Sequence, residues 1–308
     1  MNREMNRIVK SVLLALVIFG WVTPVKSSNP QKEKLNIVII GAHPDDVDIK
    51  AGGTAYKWSQ MGHNVLLVSL TNGDAGHQTL SREELAKVRR EEARKAGEVI
   101  GARYITLDNH DGELMPTYEN RLQIIKVIRE HKADIVIFHR PYDYHPDHRY
   151  TGALVLDAAF MVTVPKILPD IPFLEKNPLF LYMYDRFESP DSFKADIVID
   201  IDDVVEKKMD MLHHHKSQFY EWLPFNIGIL DQVPATDEGR RIWLDQTRKE
   251  STSSADRFRD KLIELYGKKG ENVKYAEAFQ DSKYGTLLTR ENLFYYFPFL
   301  DSESTFFD

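Results

Sequence analysis

The densest chemistry in the sequence lies in two short stretches, His43-Pro-Asp-Asp46 and His145-Pro-Asp-His148. The chain has no cysteine, so a metal ion would have to be held through His, Asp or Glu. His43 and His148, completed by one carboxylate of the Asp45–Asp46 pair, would form a two-His, one-carboxylate set with an open position. That is the arrangement of catalytic rather than structural zinc. A water held there loses its proton near neutral pH. The other carboxylate stays free to take that proton as general base. Spacing alone does not say which aspartate does which. Attack on an amide carbonyl develops an oxyanion, which a protonated His145 beside the metal would stabilise. His145 could also give the leaving amine its proton. Asp147 would orient an imidazole from behind. These residue types therefore point to metal-assisted hydrolysis of an amide. Alone, His-Pro-Asp-Asp reads equally well as a helix N-cap, and Asp147 as the cap of the helix that follows it.

The elements around the two stretches must bring them together. Residues 37–40 are an apolar, mostly β-branched run, which predicts a strand buried on both faces. A helix rich in small residues follows over 50–61, and Gly52-Gly53 predicts close backbone approach there. Residues 64–70 form a second strand. Ser81-Arg-Glu-Glu84 is a capping box that opens a helix to about residue 100. A third strand over 103–107, a helix over 120–131 and a fourth strand over 133–138 complete a β-α-β-α-β-α-β order. Such an order predicts a parallel sheet in which strands 1 and 4 lie side by side. His43 follows strand 1 and His145 follows strand 4, so the topology predicts that the two stretches meet. A helix over 150–160, strands over 179–184 and 196–201 and a helix over 203–219 come next. Beyond 221 the pattern is a mixed lobe with one helix near 254–266 and an aromatic tail. The predicted fold class is α/β, a Rossmann-like three-layer sandwich with a mostly parallel sheet plus a C-terminal mixed lobe.

Ala42-His-Pro-Asp-Asp46 together with His145-Pro-Asp-His148 resembles the PIG-L/LmbE-type zinc-dependent deacetylases, which remove acetyl groups from N-acetylglucosamine-containing substrates. The resemblance covers roughly residues 35–220. It takes in Gly52-Gly53, Thr71-Asn-Gly-Asp-Ala-Gly76, Arg89-Arg-Glu-Glu92 and His215-Lys-Ser-Gln218. It implies His43, Asp46 and His148 as zinc ligands and Asp45 as the base. His145 would be the electrophile or acid, with Asp147 its partner. Arg89 would reach substrate oxygens, and Asp74 and His215 would border the substrate. Asp48 and Asp74 stand where the family carries the longer Glu. His and Asp ligands also suit manganese, cobalt or iron, so another divalent ion could replace zinc.

The first residues read differently. Arg3, Arg7 and Lys10 precede an apolar run over 12–19, then Pro24, Ser27 and Ser28. This is the layout of a secretory signal peptide over 1–27, and the run is too short for a stable membrane span. The expected division is thus a signal peptide (1–27), a deacetylase domain (35–220) and an extension packing on that domain (221–308), in a protein exported to the periplasm or beyond. The formal charge of −7, with no basic tract, argues against nucleic acid as partner. There is no Gly-rich dinucleotide cradle, Walker loop or Gly-x-Ser-x-Gly elbow. The expected partner is an N-acetylated sugar or glycoconjugate. Two rivals stand beside this reading: a carbohydrate-binding protein that has lost catalysis, and a zinc amidase acting on a non-acetyl amide. His213, His214, Tyr220, Trp222 and the tail aromatics read as solvated helix or core before ligand or sugar platform. Sugar identity and oligomeric state are left open by the sequence.

Overall fold

The computed structural model describes residues 34–300, so the expected signal peptide lies outside the described residues. Strand β1 (Asn36–Gly41) sits at the centre of the sheet, flanked by β2 (Asn64–Thr71) and β4 (Ile135–Phe138), both parallel to it. Strand β3 (Arg103–Asn109) pairs outside β2 and β5 (Leu179–Met183) outside β4. Strands β6 (Ile197–Asp200) and β7 (Ala276–Gly285) complete seven strands in the order β3-β2-β1-β4-β5-β7-β6. β7 runs antiparallel to both of its neighbours. The α/β sandwich and the adjacency of strands 1 and 4 are as the sequence predicts.

Alternation along β1 builds two cores. Ile37 and Ile39 face one layer with Trp58 and Leu67; Val38 and Ile40 face the other with Ile125 and Leu154. All four β1 side chains are fully buried, each stabilising the fold by about 1.5–3 kcal/mol. Helices α1 (Asp46–Gln60) and α2 (Arg82–Val99) cover the first face, and α3 (Tyr118–Glu130) and α4 (Pro146–Met161) the second. Helix α5 (Val205–His214) packs on α1 and α2. The Ser81–Glu84 capping box opens α2 as expected. A Cβ at Gly53 would stand 3.0–3.1 Å from three atoms of Ile201, which is the close approach that the paired glycines predict.

Two helices start earlier than their apolar patterns indicate. α1 begins at Asp46, so Asp46 and Asp48 lie in its first turn, where carboxylates favour the positive end of the helix dipole. α4 begins at Pro146, with His145 as its N-cap. Asp147 is therefore inside the first turn and not the cap. The helix expected over 203–219 ends at His214, and a π-helical turn, Ser217–Trp222, follows. Past 221, β7 is a strand that the sequence pattern did not announce. Its inward positions include Glu277 and Asp281, both buried, so it lacks the apolar alternation that marks a strand. Tyr220, Tyr296 and Phe297 are buried in the core, and no helix of the described residues is long and apolar enough to cross a membrane.

Candidate functional site

The site forms at the carboxyl ends of β1, β3 and β4, where an open parallel sheet binds ligands. At the tip of β1 the chain turns through Asp45, whose φ of 119° is left-handed and costs a residue with a side chain about 1–3 kcal/mol. Its neighbours hold it there. Tyr104 Oη accepts from Asp45 N–H at 3.2 Å, and Arg89 Nη2 donates to the Pro44 carbonyl. The second stretch enters from β4 through His139 and reaches His148 on the first turn of α4.

Four atoms of three residues from the two stretches then meet. His43 Nδ1 lies 3.3 Å from His148 Nε2 and 3.4 Å from Asp46 Oδ2, and His148 Nε2 lies 3.3 Å from Asp46 Oδ1. A tetrahedral ion with bonds of about 2.0–2.1 Å has ligand–ligand edges of about 3.3–3.4 Å. His43, His145 and His148, and likewise Asp46, His139 and His148, bring ligand atoms within 4.8 Å of one another, so this cluster could hold a divalent ion. Asp46 Oδ2 is already taken by the N–H groups of Ala42 (3.0 Å) and His43 (2.7 Å) and by His139 Nε2 (3.2 Å), leaving Oδ1 toward His148.

Both imidazoles are aimed from behind. His43 Nε2 stands 3.1 Å from Asp111 Oδ1 and 3.3 Å from Asp147 Oδ2, so it carries a proton and Nδ1 points inward. His148 Nδ1 is 3.2 Å from Asp143 Oδ1, which leaves Nε2 inward. Burial opposes protonation of His43, yet Asp111, Asp147 and Asp46 outweigh it and hold His43 well above the ordinary imidazole value. His148 is likewise raised to about 9 against burial, chiefly by Asp46 and Asp143. Asp46 is held well below the usual carboxylate range despite burial, by His148 and His139. Such a cage concentrates positive charge, which a divalent ion satisfies by displacing the protons.

Asp45 projects beside this set. Burial, then the neighbouring Asp46 against the opposing Arg89, pushes its carboxyl up to about 6. Arg89 Nη2 is 3.4 Å from Asp45 Oδ2. His145 packs edge-on to His43 at 4.6 Å between ring centroids, and its Nδ1 accepts from Asp147 N–H at 3.2 Å. Burial, then His43 and His148, lowers its pKa, which weighs against the protonated ring expected from the sequence. Asp147 meets His145 through its backbone N–H, since the Asp147 carboxylate faces His43 and the Gly112 N–H (2.7 Å).

The three expected substrate contacts sit behind the site. Arg89 is buried and gives its guanidinium to Pro44, Gly73 and Asp45. Gly73 has φ of +69° and leaves no room for a Cβ, which would lie 2.6 Å from Arg89 Nη1. Glu92 accepts from Ser217 N–H and Oγ–H at 2.8 and 2.6 Å. Asp74 braces the loop after β3 through His110 Nδ1 (2.6 Å) and Asp111 N–H (3.0 Å). His215 is wholly buried at the end of α5, 3.2 Å from Asp48 Oδ2. Sequence reasoning missed Asp111, His139 and Asp143. Asp111 lies just past β3, where the strand-tip rule extended to that strand would have found it; His139 and Asp143 lie on the segment after β4 with no spacing that marks them. A cavity of about 360 Å³ opens against Asp46 and His148 and is lined also by Lys50, Tyr144, Tyr184 and Arg248.

A family model described as PIG-L, GlcNAc-PI de-N-acetylase, matches residues 38–159. The diacetylchitobiose deacetylase of Thermococcus kodakarensis is 33% identical over 213 residues, covering 65% of this chain and 78% of that protein. The solved N,N'-diacetylchitobiose deacetylase of Pyrococcus horikoshii, bound to an inhibitor, superposes with a TM-score of 0.62 at 27% identity, over 82% of this chain and 85% of that one. The 4-carboxy-2-hydroxymuconate hydratase GalB of Pseudomonas putida shares the fold, with a TM-score of 0.64 at 19% identity, over 84% and 99% of the two chains.

Proposed function

We propose, from the premise that this chain belongs to the PIG-L family of deacetylases, that it is a divalent-metal N-deacetylase of a GlcNAc-type sugar, zinc being the ion of first choice. The observation that carries this reading is the convergence of His43 Nδ1, His148 Nε2 and the Asp46 carboxylate within 3.3–3.4 Å contacts, beside a carboxyl, Asp45, that burial pushes up to about 6. The deacetylase relatives at 33% and 27% identity support the same substrate class.

His43, His148 and Asp46 would hold the ion, which polarises the acetyl carbonyl and acidifies water. Asp45 takes the proton from the attacking water on its carboxylate, which Arg89 orients while the Tyr104 hydroxyl holds the Asp45 backbone N–H. His145 donates a hydrogen bond from Nε2–H to the carbonyl oxygen as negative charge gathers there, a role that an uncharged imidazole can fill. Asp45, now protonated, returns the proton to the departing sugar amine, and acetate leaves. Asp111, Asp147 and Asp143 keep the ligand rings from turning throughout.

Metal analysis joined to an acetate-release screen of N-acetylated sugars tests the assignment. One divalent ion per chain and acetate from a GlcNAc-type sugar are expected; release of larger acyl groups in place of acetate would move it to the amidase rival. We further take the protein to be exported. N-terminal sequencing of the mature chain should begin near Ser28, and an intact residue 1 would overturn that.

A further inference from the structure

The cavity against the candidate metal ligands carries charge that the proposed reaction does not use. Its acidic side chains are spoken for. Asp185 is clamped by Arg140 through two bonds of 2.6 and 2.8 Å. Asp143 faces His148, and Glu277 pairs with Lys208 at 3.0 Å while accepting from Gly53 and Thr54. Four cations on the same wall are not. Among the described residues, Lys50, Arg186, Arg248 and Arg257 stand in no ion pair.

What these cations do instead is slight. Arg186 gives one bond to the Ser251 carbonyl at 2.7 Å, and Arg257 reaches the same oxygen at 3.5 Å. Lys50 Nζ and the Arg257 guanidinium each lie 5.8 Å from the Tyr184 ring centroid. Arg248 rests 5.8 Å over Phe219, and its Nε is buried with no hydrogen-bond partner. Lys50 and Arg248 are half-buried with no close ion-pair partner, which is costly; Lys50 feels Asp143, Asp46 and Asp185 and Arg248 feels Asp45 only at longer range, while Arg186 and Arg257 are exposed. Here they gather in one cavity of a chain whose net charge is −7. An arriving anion would relieve that cost through charge-assisted hydrogen bonds, and a guanidinium matches a carboxylate or phosphate edge with two of them.

We propose that this cavity receives an anionic group, a carboxylate or a phosphate carried by the N-acetylated substrate, with Lys50 and Arg248 as its principal partners. The proposal rests on the deacetylase reading for the word substrate, and on the cavity alone for the anion.

The test uses the full, metal-loaded chain in two arms. In the first, kcat/KM is measured for N-acetylmuramic acid and N-acetylglucosamine 1-phosphate against neutral diacetylchitobiose. The anionic sugars are expected to be preferred, and the anionic-to-neutral ratio to fall about tenfold or more in Lys50→Met and in Arg248→Gln. The arm that responds more strongly tells carboxylate from phosphate. In the second, calorimetry follows binding of inorganic phosphate and of succinate to wild type and to both variants, with melting curves to confirm that the variants fold. Binding that weakens about tenfold in the variants supports the site. Anion binding untouched by both substitutions, or a neutral-sugar preference that neither alters, overturns it. If no sugar is deacetylated, the enzymatic reading fails, and the calorimetric arm still decides the anion site.

Discussion

His148 Nε2 stands 3.3 Å from His43 Nδ1 although 105 positions separate the two residues. Two ring nitrogens so close repel as lone pairs unless a proton or a metal lies between them. Removal of the ion by a chelator should therefore leave a folded chain that takes up protons, and re-addition of zinc should release them. His148→Ala should hold less than about a tenth of the metal of the wild-type chain, and Asp143→Asn should weaken metal affinity about 10–100-fold by freeing the ring behind it. Elemental analysis and competition with a chromogenic chelator measure both. Full metal content in His148→Ala would break the assignment of the site.

Asp45→Asn keeps the shape of the side chain and removes its basicity. Turnover should drop by about 10²–10⁴-fold, the range of a lost general base, with metal content unchanged. Acetate release at the wild-type rate would place the base elsewhere. A wild-type chain that binds sugar and never releases acetate would favour the binding-protein rival.

Glu277 joins β7 to α1 and α5. From β7 it accepts the N–H groups of Gly53 (3.0 Å) and Thr54 (2.8 Å) in α1 and neutralises the fully buried Lys208 of α5. Glu277→Ala strands that ammonium in the core and should destabilise the fold by about 3–5 kcal/mol. Adding Lys208→Met should recover part of the loss. Denaturant titration reads both values, and a loss no larger than that of a surface substitution would count against the network.

Asp237 carries the clearest acid-sensitive pair away from the site. Lys216 at 2.6 Å and His213 at 3.2 Å hold its carboxyl down to about 2. A depressed carboxyl contributes stability that is present above its unfolded value, about 3.9, and lost as pH falls through about 2. Asp237→Asn should thus lower the melting temperature slightly at pH 7 and leave it unchanged near pH 2. Because the carboxylate is exposed, raising the salt should shrink the difference at pH 7. A difference that persists at low pH would mean that the side chain acts by packing.

Much of this was legible because it rests on short-range rules. The apolar run of β1, the capping box at Ser81 and the paired glycines at 52–53 each have one ready physical reading, and parallel topology then sets β1 beside β4. What escaped was fixed by tertiary context. The positive φ of Asp45 follows from what surrounds the loop and leaves no trace in local composition. Asp147 facing His43 rather than His145 depends on where α4 starts. β7 hides because its buried face carries Glu277 and Asp281; Glu277 is made tolerable by the distant Lys208 and by backbone donors of α1, Asp281 by Lys283 two residues on.

The placing of β7 between β5 and β6 bears on how the protein is made. β6 emerges from the ribosome with no strand to bond to, because its single described neighbour, β7, follows only at Ala276–Gly285. A nascent chain can assemble the first five strands as they appear, but Lys208 must wait in water and β6 must wait unzipped. Closure waits for β7, so a chain stalled before residue 276 should remain open to proteases at its far edge.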